Sequence, residues 1–155
     1  MFNSVRSKSA IGVIALLFLT TLTPSAVAGK PGSTVSLNGT VCKSFAGTWI
    51  SKVRTCYITG NGASNVDFNI DARSQLVIEN AGNFTNYGVI TNFGSVVNYG
   101  NFTTSNNFTN QSTLVNFGNI YSSYHITNNG FIQQNSNWYG CVYNNSVVDG
   151  FFTNC

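Results

Sequence analysis

The sequence predicts an all-β protein whose chain winds as a single-stranded β-solenoid, and three observations lead to this prediction. Apolar residues recur every six positions through the middle of the chain, and whole stretches recur every eighteen. From Asn80 to Val148 the chain contains no Asp, Glu, Lys or Arg. We therefore expect a stack of short strands with about 18 residues in each coil, closed at both ends by disulfide-bonded caps.

The first residues have the layout of a secretory signal peptide. Arg6 and Lys8 precede an apolar run over residues 10–22, and a small-residue cleavage site ends at Ala28. The apolar run is shorter than the roughly 20 residues that span a bilayer. We expect residues 1–28 to be removed and the mature chain, which has no other apolar segment of spanning length, to be secreted or held at the cell surface.

The mature chain is expected to be almost neutral. Five Lys and Arg then oppose four Asp and Glu, which gives a net charge of +1. Binding to nucleic acid or to an acidic membrane depends on clustered Lys and Arg. Because the sequence holds no such cluster, we expect neither nucleic acid nor a membrane as a partner.

Four cysteines, Cys42, Cys56, Cys141 and Cys155, form an even set that favours disulfide bonds in an exported chain. The equal separations of 14 positions favour Cys42–Cys56 and Cys141–Cys155, each worth about 3 kcal/mol through loop closure. The two other connectivities remain open. A zinc site is the alternative, but the spacing matches no zinc-finger pattern and His125 is the single histidine. We expect no metal and no cofactor.

The segment 29–64 is predicted to form an N-terminal cap. It holds most basic residues of the mature chain, and the strand-like content from Trp49 to Ile58 predicts a hairpin closed by a disulfide bond. A solenoid needs a cap because its last coil otherwise leaves a strand edge ready to pair. Residues 143–155 are expected to cap the other end in the same way.

The six-residue repeat defines the predicted solenoid, residues 65–142, and has the form apolar-x-Asn-x-Gly-x. Because six is a multiple of two but not of 3.6, the apolar residues fall on one side of a strand but not of a helix. Gly and Asn tolerate positive φ and are poor helix formers, so we expect them at bends. The apolar positions are Ile78, Phe84, Ile90, Val96, Phe102, Phe108, Leu114, Ile120, Ile126, Ile132 and Trp138.

The eighteen-residue repeat groups three hexapeptides into one coil. Coils stacked about 4.8 Å apart would place like residues above one another, and Asn and Thr side chains can bond along such ladders. A flatter coil of twelve residues also fits the six-residue period, but it does not fit the columns. The columns are Asn65, Asn83, Asn101, Asn119 and Asn137, and Thr91, Thr109 and Thr127.

These residues resemble a known architecture. The period of six, the apolar position and the small residue two before it are similar to the triangular left-handed β-helix, and the N-x-G-x-apolar pattern resembles the repeats of secreted solenoid adhesins and surface proteins. The resemblance covers residues 65–142 and implies a three-sided coil. Aromatic residues replace many of the usual aliphatic ones, so an irregular prism is expected.

Aromatic residues also fall at outward positions of the predicted strands and form a candidate contact surface together with the Thr column. Exposed apolar strips mark contact surfaces in many proteins. The alternative is that the rings cover only neighbouring coils. The candidate contact residues are Tyr87, Phe93, Tyr99, Phe117, Tyr121, Thr91, Thr109 and Thr127.

Six sequons are candidate N-glycosylation sites in an exported chain, although Asn and Thr are so abundant here that sequons also arise incidentally. Glycans would supply the solubility that the missing charges do not. The acceptors are Asn38, Asn83, Asn101, Asn107, Asn110 and Asn144.

The missing charges argue against an enzyme. Cleavage of sugars needs paired carboxylates, and the acids of the chain lie only near its ends, with Asp67 and Asp71 as the closest pair. Calcium-binding solenoids carry Asp in every turn, whereas these turns carry Asn and Gly. His125 shares a column with Val89 and Asn107 and has no acid nearby, so we expect a surface role for it.

The sequence therefore favours a non-catalytic structural or adhesive protein, with a cell-surface or matrix component as its partner and a glycan as the reasonable ligand. The alternative is a subunit of an extracellular fibre resembling functional amyloid, formed by homo-assembly. Two further hypotheses rank lower. One is ice binding through Thr91, Thr109 and Thr127, and the other is a degenerate polysaccharide hydrolase or lyase that uses Asp67 and Asp71.

Overall fold

The computed structural model describes residues 34–155, so the predicted signal peptide, residues 1–28, lies outside the described part of the chain. Strands of this part form three sheets, and successive strands of the chain visit the three sheets in turn. Neighbouring strands are parallel, apart from one antiparallel hairpin. The predicted β-solenoid is confirmed, and the coil of twelve residues is wrong because each circuit contains three strands.

The three sheets are named A, B and C, and one short helix precedes most of the strands. Sheet A contains β1 (Val35–Ser36), β5 (Phe68–Ile70), β8 (Ile90–Asn92), β11 (Phe108–Asn110), β14 (Ile126–Asn128), β17 (Cys141–Asn144) and β19 (Thr153–Asn154). Sheet B contains β2 (Thr48–Ile50), β3 (Thr55–Ile58), β6 (Gln75–Ile78), β9 (Ser95–Asn98), β12 (Thr113–Asn116), β15 (Phe131–Gln134) and β18 (Val147–Asp149). Sheet C contains β4 (Asn61–Ser64), β7 (Asn83–Asn86), β10 (Asn101–Thr104), β13 (Asn119–Ser122) and β16 (Asn137–Tyr139), and the helix is α1 (Gly39–Ser44).

The strand register confirms the spacing of eighteen residues in the middle of the stack, where Asn101 lies beside both Asn83 and Asn119. The spacing is longer in the first coil, where Asn61 and not Asn65 pairs with Asn83. The turns 71–74 and 79–82 each hold two residues more than the later turns at the same corners. The assignment of Asn65 to the Asn column is therefore wrong, since four inserted residues displace the register.

The core follows the six-residue repeat. Every apolar position from Ile78 to Ile132 is at most 1% exposed, and Trp138 is half-buried at the end of the series. Phenylalanine rings pack on one another inside the coil, with ring centroids of Phe102 lying 5.9 Å from Phe84 and 5.6 Å from Phe108. Burial of each such side chain contributes about 1.5–3 kcal/mol before the entropy of ordering the chain is counted.

The asparagines of the repeat lie inside the coil, and their role differs from the predicted one. Asn92, Asn98 and Asn110 are fully buried within strands, and the non-glycine residues with positive φ among residues 34–155 are Ala46 and Arg54. Asn92 donates to Asn110 Oδ1 at 2.8 Å and accepts from Gly94 N at 3.1 Å. These residues therefore hold the corners through their side chains, because a buried turn needs partners for its backbone groups.

The repeat glycines also act differently from the prediction. Positive φ occurs at two glycines of the described chain, Gly140 and Gly150, neither of which belongs to the main Gly series. At Gly118 an added Cβ would lie 2.1 Å from the carbonyl oxygen of Gly100 in the preceding coil. Glycine is needed there because the backbones of successive turns approach too closely for a side chain.

The N-terminal end is closed by a helix as well as by the predicted hairpin. Strands β2 and β3 pair in antiparallel fashion, and the Cys42–Cys56 disulfide joins the helix α1 to β3. Asn38 caps the helix, since its side-chain oxygen accepts from the backbone nitrogens of Thr40 and Val41 at 2.9 and 3.1 Å. The sequence interpretation missed this helix.

The C-terminal end is closed by the Cys141–Cys155 disulfide, so both preferred pairings are confirmed. The coil narrows here, and Ile126 pairs with Val142, a spacing of 16 residues. Parallel stacking extends beyond 65–142 in both directions, because β3 and β4 precede that range and β18 follows it. No helix of residues 34–155 is long and apolar enough to cross a membrane.

Candidate functional site

The outer face of sheet C is the most regular polar surface of the described chain, and we call it the ladder face. Its first column is an unbroken series of asparagines, one from each of the five strands. Its second column, two residues further along each strand, changes from small residues to tyrosines. The first column contains Asn61, Asn83, Asn101, Asn119 and Asn137, and the second contains Ala63, Thr85, Thr103, Tyr121 and Tyr139.

The asparagine column is a continuous chain of hydrogen bonds. Each Nδ2 donates to the Oδ1 of the preceding coil, with distances of 3.0, 2.6, 2.8 and 2.9 Å from Asn83 to Asn137. All the amides therefore point the same way, which polarises the chain of bonds. An amide has two donor hydrogens and two acceptor lone pairs. One of each is used along the ladder, so each inner rung keeps a second donor and acceptor for another molecule.

Aromatic rings border this ladder on its C-terminal half. Tyr121 and Tyr139 stack with ring centroids 4.8 Å apart and planes 4° apart, next to Asn119 and Asn137 on the same strands. On the other side, in the turns that lead into sheet C, Tyr99 and Phe117 stack at 5.2 Å with planes 9° apart. The amides of the ladder thus run between two stacked aromatic pairs.

The N-terminal half of the ladder face opens into a shallow groove. The groove has a volume of about 330 Å³, and its lining includes Asn61, Asn83, Thr85, Tyr87 and Phe45. No Asp, Glu, Lys, Arg or His side chain lines it. An uncharged groove with amide, hydroxyl and aromatic groups suits a neutral polar ligand rather than an ion.

The predicted aromatic contact residues are all exposed, but they do not form one strip. Tyr87 lies in the turn from sheet C to sheet A, and Phe93 lies in the turn from sheet A to sheet B. Tyr99, Phe117 and Tyr121 lie at or on the ladder face. The single aromatic strip of the sequence interpretation is therefore wrong, because turns between the strands place these rings at different corners.

Thr91, Thr109 and Thr127 lie in register on sheet A, on a different side of the solenoid. They are half-buried, and the column continues with Asn69 before them and Tyr143 after them. Each strand contributes one Thr to this column. It is therefore a short run of three, away from the aromatic pairs of the ladder face.

The sequon asparagines differ in accessibility. Asn110 is fully buried, and its Nδ2 donates to Asn128 Oδ1 at 2.8 Å, so a glycan at Asn110 is incompatible with the folded chain. Asn38, Asn83 and Asn107 are exposed, whereas Asn101 and Asn144 are half-buried. Asn83 and Asn101 are rungs of the ladder, so glycans there would cover it. Glycosylation at these five positions stays a prediction.

The two carboxylates considered for catalysis are used in the structure of the first coil. Asp67 accepts a hydrogen bond from the backbone nitrogen of Val89 at 2.7 Å. Asp71 accepts from Ser36 Oγ at 3.2 Å and lies 3.7 Å from the Arg54 guanidinium. They flank strand β5 at its two ends, so they occupy different corners of the coil.

His125 has surroundings that the sequence did not indicate. It lies between Tyr124 and Tyr143, with ring centroids 4.9 and 4.8 Å away, and next to the Cys141–Cys155 disulfide.

The sequence reasoning also missed Asn61 as the first rung of the ladder. Asn61 lies 22 residues before its partner Asn83 and not 18, because the turns 71–74 and 79–82 are longer, so the eighteen-residue repeat does not reveal it.

Comparisons of the chain with protein-family models, with curated proteins and with solved structures find no match. The β-solenoid architecture is thus established by the strand pairing alone.

Proposed function

We propose that this protein is a non-catalytic structural or adhesive component that is secreted or attached to the cell surface, and that it binds glycans through the ladder face. The observation that carries the proposal is the alignment of the Asn101–Asn119–Asn137 ladder between two stacked aromatic pairs. The amides recur on every strand of sheet C and the rings on two successive coils in each pair, so an extended ligand would meet the amides several times and rings on both sides of them.

The amides of the ladder supply the polar contacts that a sugar needs. Each inner rung offers one spare donor and one spare acceptor, which match the dual character of a hydroxyl group. Rungs follow the strand spacing of about 4.8 Å. Because the chain of amide hydrogen bonds fixes their orientation, little conformational entropy is lost when a ligand binds.

The aromatic pairs supply exposed apolar surface for the C–H groups of sugar rings. Tyr121 and Tyr139 stack on each other, which covers one face of each ring, and at 41% and 52% exposure the remaining surface of each residue is accessible beside the amides. A combination of apolar rings and a few placed polar groups is typical of sites for neutral ligands. The absence of ionisable groups from residues 80–148, apart from His125, tyrosines and cysteines, favours uncharged glycans over acidic ones.

The oxidised cysteines support the proposed location. Both disulfides are formed, and stable disulfides are typical of chains that leave the reducing cytosol. The structural use of Asp67 and Asp71 supports a non-catalytic role, since neither faces the other across an open site.

A glycan-array screen, followed by pull-down with insoluble polysaccharides, tests the proposal. The double variant Tyr121→Ala/Tyr139→Ala should weaken binding about ten-fold or more, because the contacts of both rings with the sugar are lost. The matched control is Phe131→Ala/Val147→Ala, which removes an exposed pair in register on sheet B and should leave binding unchanged. Binding that is absent from the parent chain, or lost equally in both variants, would contradict the proposal.

Self-assembly into a fibre is the second candidate, and the open edges of sheet C favour it. Strand β4 ends this sheet on one side and β16 ends it on the other. The ladder would continue across a junction, since Asn61 Nδ2 would donate to Asn137 Oδ1 of a second copy. The helix α1 and the antiparallel β2 cover other parts of the N-terminal end, and Phe45 lies against Gly62 of β4, which argues against stacking of all three sheets.

Electron microscopy of concentrated protein distinguishes this candidate. Filaments are expected for the parent chain, and Asn137→Lys should abolish them because it places a charge on the open edge. Ser105→Lys puts the same charge on an exposed turn in the middle of the stack and should leave filaments intact. Monodisperse particles of the parent chain at high concentration would rule the fibre out.

A further inference from the structure

Three metal-ligating side chains meet at the C-terminal end of the solenoid. His125 Nδ1 lies 3.5 Å from Cys141 Sγ and 3.9 Å from Cys155 Sγ. The three ligand atoms all lie within 4.8 Å of one another. The other disulfide, Cys42–Cys56, has no such neighbour among the residues described, so the cluster is specific to this end.

The strand register builds this cluster. Ile126 pairs with Val142, so the residues before them, His125 and Cys141, are adjacent on the outer side of sheet A. The backbone nitrogen of Cys155 donates to Val142 O at 3.1 Å, which brings the last residue back over the same strand. The rings of Tyr124 and Tyr143 flank the imidazole and limit its rotation.

We propose that His125, Cys141 and Cys155 form a binding site for a thiophilic divalent cation such as zinc when the Cys141–Cys155 disulfide is reduced. A dithiol reductant supplies two electrons and two protons. The Cys141–Cys155 S–S bond breaks, two thiols form, and the reductant becomes a disulfide. Binding of the cation then releases the two thiol protons, with Nδ1 of the neutral imidazole as the third ligand.

The geometry suits a tetrahedral site. Zn–S bonds of about 2.3 Å and Zn–N bonds of about 2.0–2.1 Å place the nitrogen and sulfur ligands about 3.6 Å apart. The observed distances from Nδ1 to the two sulfurs, 3.5 and 3.9 Å, lie close to this value. Only the two sulfurs must separate, to about 3.8 Å. Cys155 is exposed, so a water molecule has access to the fourth position.

The pair that must be reduced is also the accessible one. Cys42 and Cys56 are fully buried, whereas Cys141 is half-buried and Cys155 is exposed. A mild dithiol under native conditions should therefore open the C-terminal pair first, because exchange requires access to a sulfur. Alkylation and mass spectrometry would then find two modified cysteines, at 141 and 155, and an intact Cys42–Cys56 bond.

Cobalt(II) titration of the full chain, after this mild reduction and removal of the reductant under anaerobic conditions, tests the site. We expect thiolate-to-metal charge-transfer bands, the intense visible bands of tetrahedral cobalt, and displacement of cobalt by zinc at one equivalent. His125→Asn should weaken binding more than about ten-fold, a loss at least as large as removal of an outer-shell partner. Asn occupies the same column at position 107, so this variant should keep the fold, which circular dichroism would verify.

The double variant Cys141→Ser/Cys155→Ser, treated in the same way, should give no thiolate bands. The proposal is overturned if the reduced parent chain binds no cobalt or shows only the weak bands of octahedral cobalt. It is also overturned if folded His125→Asn binds as tightly as the parent. None of these variants substitutes a residue of the ladder face, and the cobalt spectrum is read without a glycan, so the outcome is independent of glycan binding.

Discussion

The two ends of the solenoid are closed by disulfides of identical sequence separation, yet they are built differently. At the N-terminal end both cysteines are fully buried, and helix α1 lies against the first coils. At the C-terminal end the disulfide lies at the surface, no helix covers the last coil of the described chain, and Phe151 is 96% exposed. A disulfide that closes a loop of the same length is therefore part of the core at one end and lies at the surface at the other.

This difference indicates that stability is distributed unevenly along the stack. In a repeat protein each coil is stabilised by its own packing and by its neighbours, so a thinly packed terminal coil opens first. The last core positions reflect this, since Trp138 and Val148 are half-buried and the Trp138 indole N–H has no partner within the described residues. We expect the N-terminal end to unfold with the whole protein and the C-terminal end to open separately.

The largest expected effect is that of Phe45→Ala. Phe45 is 2% exposed, and its ring packs 4.9 Å from Phe68 and 5.5 Å from Phe84. Removal of this ring should lower the free energy of unfolding by about 3–5 kcal/mol, measured by chemical denaturation. The control Phe151→Ala removes an exposed ring at the other end and should change stability by less than about 0.5 kcal/mol. Similar losses from both variants would contradict the comparison.

The two disulfides provide the next test. Cys42→Ala/Cys56→Ala should lower global stability by about 3 kcal/mol, because the loop constraint is lost and buried volume is removed. Cys141→Ser/Cys155→Ser removes a loop of the same length but should cost less than about 1 kcal/mol globally, since the last coil opens before the rest. Denaturant unfolding of the two double variants measures both values. Equal losses would show that the C-terminal coil belongs to the same cooperative unit.

A smaller effect distinguishes two asparagines of the column that lies inside the coil, Asn92, Asn110, Asn128 and Asn144. Asn92 and Asn128 make matching bonds, donating at 2.8 Å to Asn110 and Asn144 respectively. Asn92→Ala leaves buried backbone and amide groups unpaired and should cost about 1–3 kcal/mol of global stability. Asn128→Ala should instead speed amide hydrogen exchange in β17 and β18, with a smaller global change. Hydrogen exchange that rises uniformly in both variants would contradict this separation.

The smallest expected effect concerns the helix cap. Asn38→Ala removes the side-chain acceptor of two backbone nitrogens in α1 and should cost about 1 kcal/mol. Thermal unfolding measures the loss, and Thr40→Ala, at an exposed position of the same helix, is the matched control. If both variants melt like the parent chain, α1 does not contribute to the stability of the N-terminal end.

The repeats allowed most of the architecture to be predicted from the sequence. The apolar positions from Ile78 to Ile132 could be assigned to the core because a period of six leaves them on one side of every strand. The equal separations at opposite ends favoured the two disulfides that the structure shows, although the sequence left two other connectivities open. By contrast, helix α1 has only six residues and lies outside the repeats, so no periodic pattern predicted it.

The candidate site was only partly predictable. The outward aromatics were identified correctly as exposed, but the corner to which each one belongs depends on where the chain turns. The ladder was found from Asn83 to Asn137, and its first rung was missed because two turns of the first coil are longer. The cluster at His125 depends on the shortened final coil, which no eighteen-residue pattern contains.

The sequence by itself determined that the chain coils with three strands in each turn, because the apolar period of six sets the strands and the columns eighteen residues apart group them in threes. The tertiary structure decided which asparagines point inward, why the glycines are needed, and which residues meet at the two ends. These properties depend on contacts between coils, and the length of the intervening turns sets those contacts. Register, not composition, therefore places both the ladder face and the cysteine–histidine cluster.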